Sequence, residues 1–232
     1  MVGVGANGLL SVAYKIPQII NTLQGIFIQA WQISAIKEYG ENDTAEFYGR
    51  TFSYITLIMC ATCSLLILLT KPIGHLLYQK DFFPAWQYVP FLLVSCVLNS
   101  ASSFLGPILA AKKDSKSMAM SAVYGASTNL ILNIVLVYLI GIQGATIATA
   151  ISSLIIYEYR KRAVGHNIRI KQYNTVLLTW VLLWLQAVLE IYTPFWWIEL
   201  LLMFIMLLLN WSGLKQIIMI CNSLIERSGK TI

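Results

Sequence analysis

Seven apolar runs of membrane length, at about 9–35, 51–70, 88–111, 117–140, 142–159, 175–193 and 195–212, fill most of this 232-residue chain. A membrane helix takes about 20 residues, so only short segments remain between the runs and no sizeable domain fits outside the membrane. Hydrophobic residues make up 58% of the chain and charged residues 11%, against roughly 45–50% and about 25% in ordinary soluble domains. A water-soluble fold of this size could not bury that much apolar surface, which excludes a soluble nucleotide-binding or catalytic domain. The sequence therefore reads as an all-α integral membrane protein with about seven transmembrane helices.

The formal net charge is +6, and its distribution argues for topology rather than for nucleic acid. Basic residues lie between apolar runs instead of forming one patch. Lys37, Arg50, Lys112, Lys113, Lys116, Arg160, Lys161, Arg162, Arg169, Lys171, Lys215, Arg227 and Lys230 fall in alternate segments, 13 cations on one side against Lys71 and Lys80 on the other. The side rich in Lys and Arg belongs in the cytoplasm. This predicts an outside N-terminus and an inside C-terminus, with Tyr78, Trp86, Tyr88, Tyr192, Phe195, Trp196 and Trp197 at the outer boundary. The opening Met1-Val-Gly-Val-Gly-Ala-Asn7 lacks the basic stretch of a cleavable signal peptide.

Chemistry-bearing residues are sparse. Cys60-Ala-Thr-Cys63 has the spacing of a redox or zinc half-site, but no second Cys/His pair accompanies it, so Cys60, Cys63 and Cys96 read as packing residues. No metal or cofactor is expected. Glu38, Glu41, Asp43, Glu46, Asp114, Glu158 and Glu226 fall in or beside cytoplasmic segments, and Asp81 falls outside. Glu190 and Glu199 flank the turn near Pro194 and read as interfacial at most, so a coupling carboxylate, if one is needed, has to come from another chain. A retinal protein would need a lysine in the run 195–212, and a heptahelical receptor an acid–Arg pair at the inner end of the third run. Neither is present.

The first run departs from a plain apolar helix. Ser11, Lys15, Gln18, Thr22, Gly25, Gln29 and Gln32 recur at helical spacing as one continuous polar stripe, with Asn21 beside it. Val12, Ile16, Ile19, Leu23, Ile26, Ala30 and Ile33 cover the rest. Single amides and hydroxyls in such a helix ordinarily bridge to neighbouring helices. Lys15 changes the reading of the stripe as a whole, because a lysine near a span's centre costs roughly 2.5–3.5 kcal/mol on insertion scales. Snorkelling to the outer headgroups is one way to relieve that cost; a hydrated cavity that receives an anionic group such as phosphate is the other. Pro17 removes a backbone donor and is expected to bend the helix.

The fourth and fifth runs form a hairpin through Gly141-Ile-Gln-Gly144. Asn129 and Asn133 share a face at i, i+4, while Gly144, Ala148 and Ser152 stack on one ridge and Ala145, Thr149 and Ser153 on the next. This is the small-xxx-small pattern of close helix packing.

Asn129-Leu-Ile-Leu-Asn133 followed by Gly141-Ile-Gln-Gly-Ala-Thr-Ile-Ala-Thr-Ala-Ile-Ser152 resembles a signature of polysaccharide flippases, the O-antigen type exporters of the multidrug/oligosaccharidyl-lipid/polysaccharide superfamily. Gly8-Leu-Leu-Ser-Val-Ala-Tyr-Lys-Ile-Pro17 with Gln29-Ala-Trp31, and Ala85-Trp-Gln-Tyr-Val-Pro-Phe91, are similar to it too. The resemblance implies a transporter of the bacterial inner membrane that moves undecaprenyl-diphosphate-linked oligosaccharide between leaflets for O-antigen, lipopolysaccharide or other surface polysaccharide. Its substrate cavity would be lined by Ser11, Lys15, Gln18, Asn21, Thr22, Gln29 and Gln32. By the same resemblance, residues 1–165 correspond to part of the second lobe of a two-lobe flippase, and 166–232 to two additional C-terminal spans with a cytoplasmic tail. The partners implied are the lipid-linked oligosaccharide, membrane lipids, and either a first lobe or a second copy. A membrane-bound polymerase or ligase of lipid-linked glycans and a non-functional remnant are the competing expectations.

Overall fold

The structure, a computed structural model, describes residues 4–41, 43–78 and 80–219. The helices are α1 (Val4–Ala13), α2 (Lys15–Lys37), α3 (Thr44–Leu68), α4 (Thr70–Leu77), α5 (Val89–Ala111), α6 (Ser115–Ile140), α7 (Ile142–Val164), α8 (Tyr173–Tyr192), α9 (Trp196–Leu209) and α10 (Trp211–Met219). Short 3₁₀ segments lie at Lys80–Tyr88 and Gly165–Asn167.

The bundle is arranged around α5. This helix carries no charged residue, and from Val89 to Leu98 every side chain is buried. A helix apolar all round has to be enclosed, and α2, α3, α7 and α8 enclose it, with α6 outside α7 and α9 against α8 and α3. Aromatic side chains connect these layers. Trp31 stacks on Phe104 at 4.2 Å between ring centroids, and Phe104 meets Phe52 edge-on at 5.5 Å. Phe52 in turn stacks on Tyr157 at 6.0 Å, and Tyr157 meets Trp180 at 4.9 Å. The Trp31 indole N–H donates to the Phe104 carbonyl at 2.9 Å, so the buried indole is also satisfied.

Helix boundaries differ from the apolar runs where local chemistry intervenes. The first run, expected as one span over 9–35, begins earlier, at Val4, and is interrupted at Tyr14. Pro17 has no N–H to offer the Ala13 carbonyl, while bonds from Tyr14 N to Leu10 O at 3.1 Å and from Gln18 N to Tyr14 O at 2.9 Å carry the chain across. The fifth run continues beyond 159 to Val164, so Arg160, Lys161 and Arg162 stand on α7 and not in a loop; the helix stops at Gly165, whose φ is +59°. The segment 71–87, expected as an outer loop, folds as the end of α4 and the 3₁₀ segment, packed on α1 and α5 with Tyr78 and Ala85 buried. Lys215, placed in the tail by sequence, lies on α10. Cys221, Glu226, Arg227 and Lys230 lie outside the described residues.

Among the described residues, four segments are long and apolar enough to cross a membrane: Thr44–Leu68, Asp81–Ala111, Ser115–Ile140 and Tyr173–Tyr192. The pair α9 and α10, bent by 69°, qualifies only when taken together as a fifth. Helices α2 and α7 have 23 residues each, about 35 Å at 1.5 Å per residue. The polar stripe of the first and the Glu158–Arg162 charges of the second take them below the hydropathy of the others.

Hairpin packing is tightest at α6 and α7, whose turn uses Gly141 at φ +64°. Asp114 caps α6 by accepting from Ser117 N at 3.0 Å, and the Ser117 hydroxyl together with that backbone bond, with Lys112 and Lys116 nearby, holds its carboxyl below the usual range. A Cβ on Gly144 would lie 2.3 Å from the backbone of Leu136, whereas one on Gly25 would meet nothing within 4 Å. Gly144→Ala is therefore expected to destabilise the detergent-solubilised protein by about 1–3 kcal/mol through backbone displacement. Gly25→Ala is expected to be neutral or to stabilise by roughly 0.5–1 kcal/mol. Unfolding midpoints of the two variants against the parent check the contrast.

Candidate functional site

Together α1 and α2 present three faces. Ala13, Ile16, Ile20, Gln24, Trp31 and Ala35 are buried, on the side packed against α5. Ile19, Ile26 and Ile33 form an exposed apolar face at 62%, 63% and 73% exposure. Ser11, Lys15, Gln18, Thr22, Gly25, Gln29 and Gln32 form the third face, and every one of them is exposed. The stripe is thus turned away from the bundle, and among the described residues it bridges to no other helix. The Ser11 and Thr22 hydroxyls donate to the carbonyls of Asn7 and Gln18, both at 2.9 Å, bonds internal to the helix. Among the described residues, Lys15 has no acidic partner within 4.0 Å.

Asn21 does not join this face. It sits at the seam with the buried side, where its Oδ1 is buried without a partner. Gln24, one turn on, is 7% exposed and its Oε1 is also unpartnered. Sequence periodicity missed Gln24 because it falls in register with the apolar residues of the core face.

The hairpin residues come together. Asn129 Nδ2 donates to Ser152 Oγ across the helices at 3.2 Å, and Asn133 Nδ2 donates to Asn129 O and Oδ1, each at 2.9 Å. Gly144, Ala148 and Ser152 are buried along one ridge. Thr149, by contrast, donates to Ala145 O on its own helix at 2.9 Å.

Two features went unread in the sequence. Arg160 counts there only as a topological charge, yet its Nε donates to Ser121 Oγ at 3.0 Å and its Nη1 to Ser102 O at 2.9 Å, tying α7 to α6 and α5. The second feature is the burial of two acids. Glu190 and Glu199, which the sequence places beside the turn, are enclosed by the bundle, at 4% and 1% exposure, because α8 and α9 pack on each other and on α3. Cys60, Cys63 and Cys96 are free and buried.

A cavity of about 540 Å³ opens elsewhere, between α3, α8 and α10, lined among others by Arg50, Tyr54, Arg169, Lys171 and Gln216. Lys171 and Arg50 share Glu46, at 2.6 Å and 3.6 Å. The loop 165–172 crosses α3 at Gly49, where a Cβ would meet the Arg169 carbonyl. None of the stripe residues lines this cavity.

No family model matches the chain and no curated protein does. Among solved structures its fold is similar to that of the lipid II flippase MurJ in an inward closed conformation, with a TM-score of 0.65 and 17% sequence identity over 91% of this chain and 48% of that one. The chain thus spans about half the length of the protein it matches. The likeness shows the fold: an all-helical bundle of the MurJ type, built here from apolar helices of membrane-spanning length.

Arg160 gives the most direct test of the bundle's polar joints. Arg160→Met keeps most of the stem and removes both bonds, so a loss of about 2–3 kcal/mol is expected. Arg160→Lys, which retains one donor, is expected to lose less. Equal stability of all three proteins in a denaturant titration would contradict the bridging role.

Proposed function

We propose that this chain is one helical lobe of a transporter, not an enzyme, for anionic lipid-linked glycans, and that the polar face of α1 and α2 forms its wall of the substrate cavity. The observation that carries this reading is the orientation of the stripe. A face of amides, hydroxyls and one lysine is turned out of the bundle next to a face of bare isoleucines. Polar groups left in hydrocarbon without partners cost several kcal/mol each, so the isoleucines meet lipid and the stripe meets water.

Lys15 then supplies a cation to a cavity that otherwise offers neutral hydrogen-bonding groups. An ammonium suits the phosphate of a lipid-linked sugar as a compact point charge. Undecaprenyl-diphosphate-linked oligosaccharide in a bacterial inner membrane, for O-antigen or another surface polysaccharide, is the substrate suggested by the Asn129–Ser152 and Gly8–Pro17 motifs. The MurJ-like fold supports a flippase of lipid-linked substrate. Seven spans follow if α2 and α7 also cross the membrane, and the lopsided cation count then sets the N-terminus outside and the C-terminus inside. The facing wall comes from a first lobe or a second copy, since alternating access requires two bodies rocking around a central site.

In cells whose surface polysaccharide depends on this chain, Lys15→Ala is expected to lower export on the order of tenfold or more, the worth of one charge-assisted contact. Membrane abundance should be unchanged, and Lys15→Arg should retain most of the activity. Unaltered polysaccharide in the alanine variant would assign Lys15 to snorkelling and contradict the cavity.

A further inference from the structure

The carboxyls of Glu190 and Glu199 have no part in the cavity, and their surroundings are unusual. Glu190 stands in the last turn of α8 and Glu199 in the first turn of α9. Lys71 of α4 places its Nζ 3.4 Å from Glu190 Oε1 and donates to the Glu190 backbone carbonyl at 3.1 Å. The same ammonium lies over the Trp86 ring, 4.8 Å from its centroid. Gln186 of α8 faces Glu199 but is engaged by Ser64 of α3: its Oε1 accepts from Ser64 Oγ at 2.7 Å and its Nε2 donates to Ser64 O at 3.1 Å. Among the described residues neither oxygen of Glu199 has a partner at hydrogen-bond geometry, the Gln186 amide being the one polar group that faces it, although the residue is 1% exposed.

Charge does not balance at this site if both acids are ionised. Two carboxylates face one ammonium, and that ammonium is bound at Glu190. Among the described side chains no other charged group is at hand. On α3 the charged residues are Glu46 and Arg50, at the opposite end of the helix, while Cys60 and Cys63 are neutral buried thiols. On α4, His75 is exposed and packs its ring on Phe83, 4.1 Å between centroids. The N-terminal turn of α9 favours an anion in principle, but no N–H of that turn bonds to the Glu199 carboxyl.

We propose that Glu199 is a proton-binding site: it holds a proton while α9 is packed on α8 and α3, so that Glu190, Glu199 and Lys71 together carry no net charge. A carboxylate removed from water with no cation of its own neutralises rather than remaining ionised. The chain thereby carries its own exchangeable proton at the α8–α9 turn. The site stands on packing and charge count alone and holds whether or not the polar stripe lines a transport cavity.

N,N′-dicyclohexylcarbodiimide tests this on the full chain in detergent. A protonated carboxyl gives its proton to a carbodiimide nitrogen while its oxygen adds to the central carbon, and the O-acylurea rearranges to a stable N-acylurea. Near pH 7 the label is expected on the peptide containing Glu199, and its rate is expected to fall as pH rises above the ordinary carboxylate range. Glu199→Gln abolishes it, and Glu190→Gln moves the loss of labelling to lower pH by removing the like charge. Because glutamine mimics a neutral carboxyl, Glu199→Gln is also expected to match the parent's thermal midpoint near neutral pH and to exceed it at alkaline pH. Absence of label on Glu199 at mildly acidic pH, or a clear loss of stability in Glu199→Gln near neutral pH, overturns the proposal. Suppression of labelling by sodium chloride but not by choline chloride overturns the proton assignment in favour of a metal cation.

Discussion

A helix with no polar side has to be covered on every side, and α5 imposes that condition on the whole molecule. Its residues from Val89 to Leu98 are all buried, so α2, α3, α7 and α8 are each committed to it along one face. The aromatic line from Trp31 through Phe104, Phe52 and Tyr157 to Trp180 runs through these contacts. Once α2 is fixed by Ile16, Ile20 and Trp31, the 100° step of the helix decides where everything else on it points. The polar stripe is outward because the core face is inward.

That arrangement accounts for the molecule's two kinds of exposed surface. Ile19, Ile26 and Ile33 form an exposed apolar face suited to lipid. Ser11, Lys15, Gln18, Thr22, Gln29 and Gln32 are not suited to it, and among the described residues no neighbouring helix satisfies them. The outward stripe is the feature from which the proposed cavity is argued: the stripe would be one wall and a separate helical body the other.

Periodicity and charge carried much of this in the sequence. The runs 88–111 and 117–140 return as α5 and α6 within two residues, since long charge-free stretches leave little choice in a membrane. The stripe on α2 was legible because its residues repeat at helical spacing, and the Gly141 turn because only glycine suits its positive φ. What could not be read depends on contacts between distant segments. Arg160 looks like one more cation after a span, and only the fold shows Ser102 and Ser121 waiting for it. Glu190 and Glu199 sit beside a proline turn and look interfacial by position; they are buried because α9 folds back on α3. The interruption at Tyr14 had a visible cause in Pro17, but the earlier start at Val4 had none.

The central claim is that the stripe on α1 and α2 faces water. Single cysteines at Ser11, Gln18 and Gln29, against Ile19, Ile26 and Ile33, with Cys221 replaced by serine and the three buried cysteines kept, measure it in native membranes. A charged, membrane-impermeant thiol reagent attacks the thiolate, which forms only where water reaches the sulfur. Labelling of the first three positions at least about tenfold faster than of the isoleucine positions is the result expected from a hydrated face beside a lipid face. Equal rates, or faster labelling of the isoleucine positions, would contradict the account.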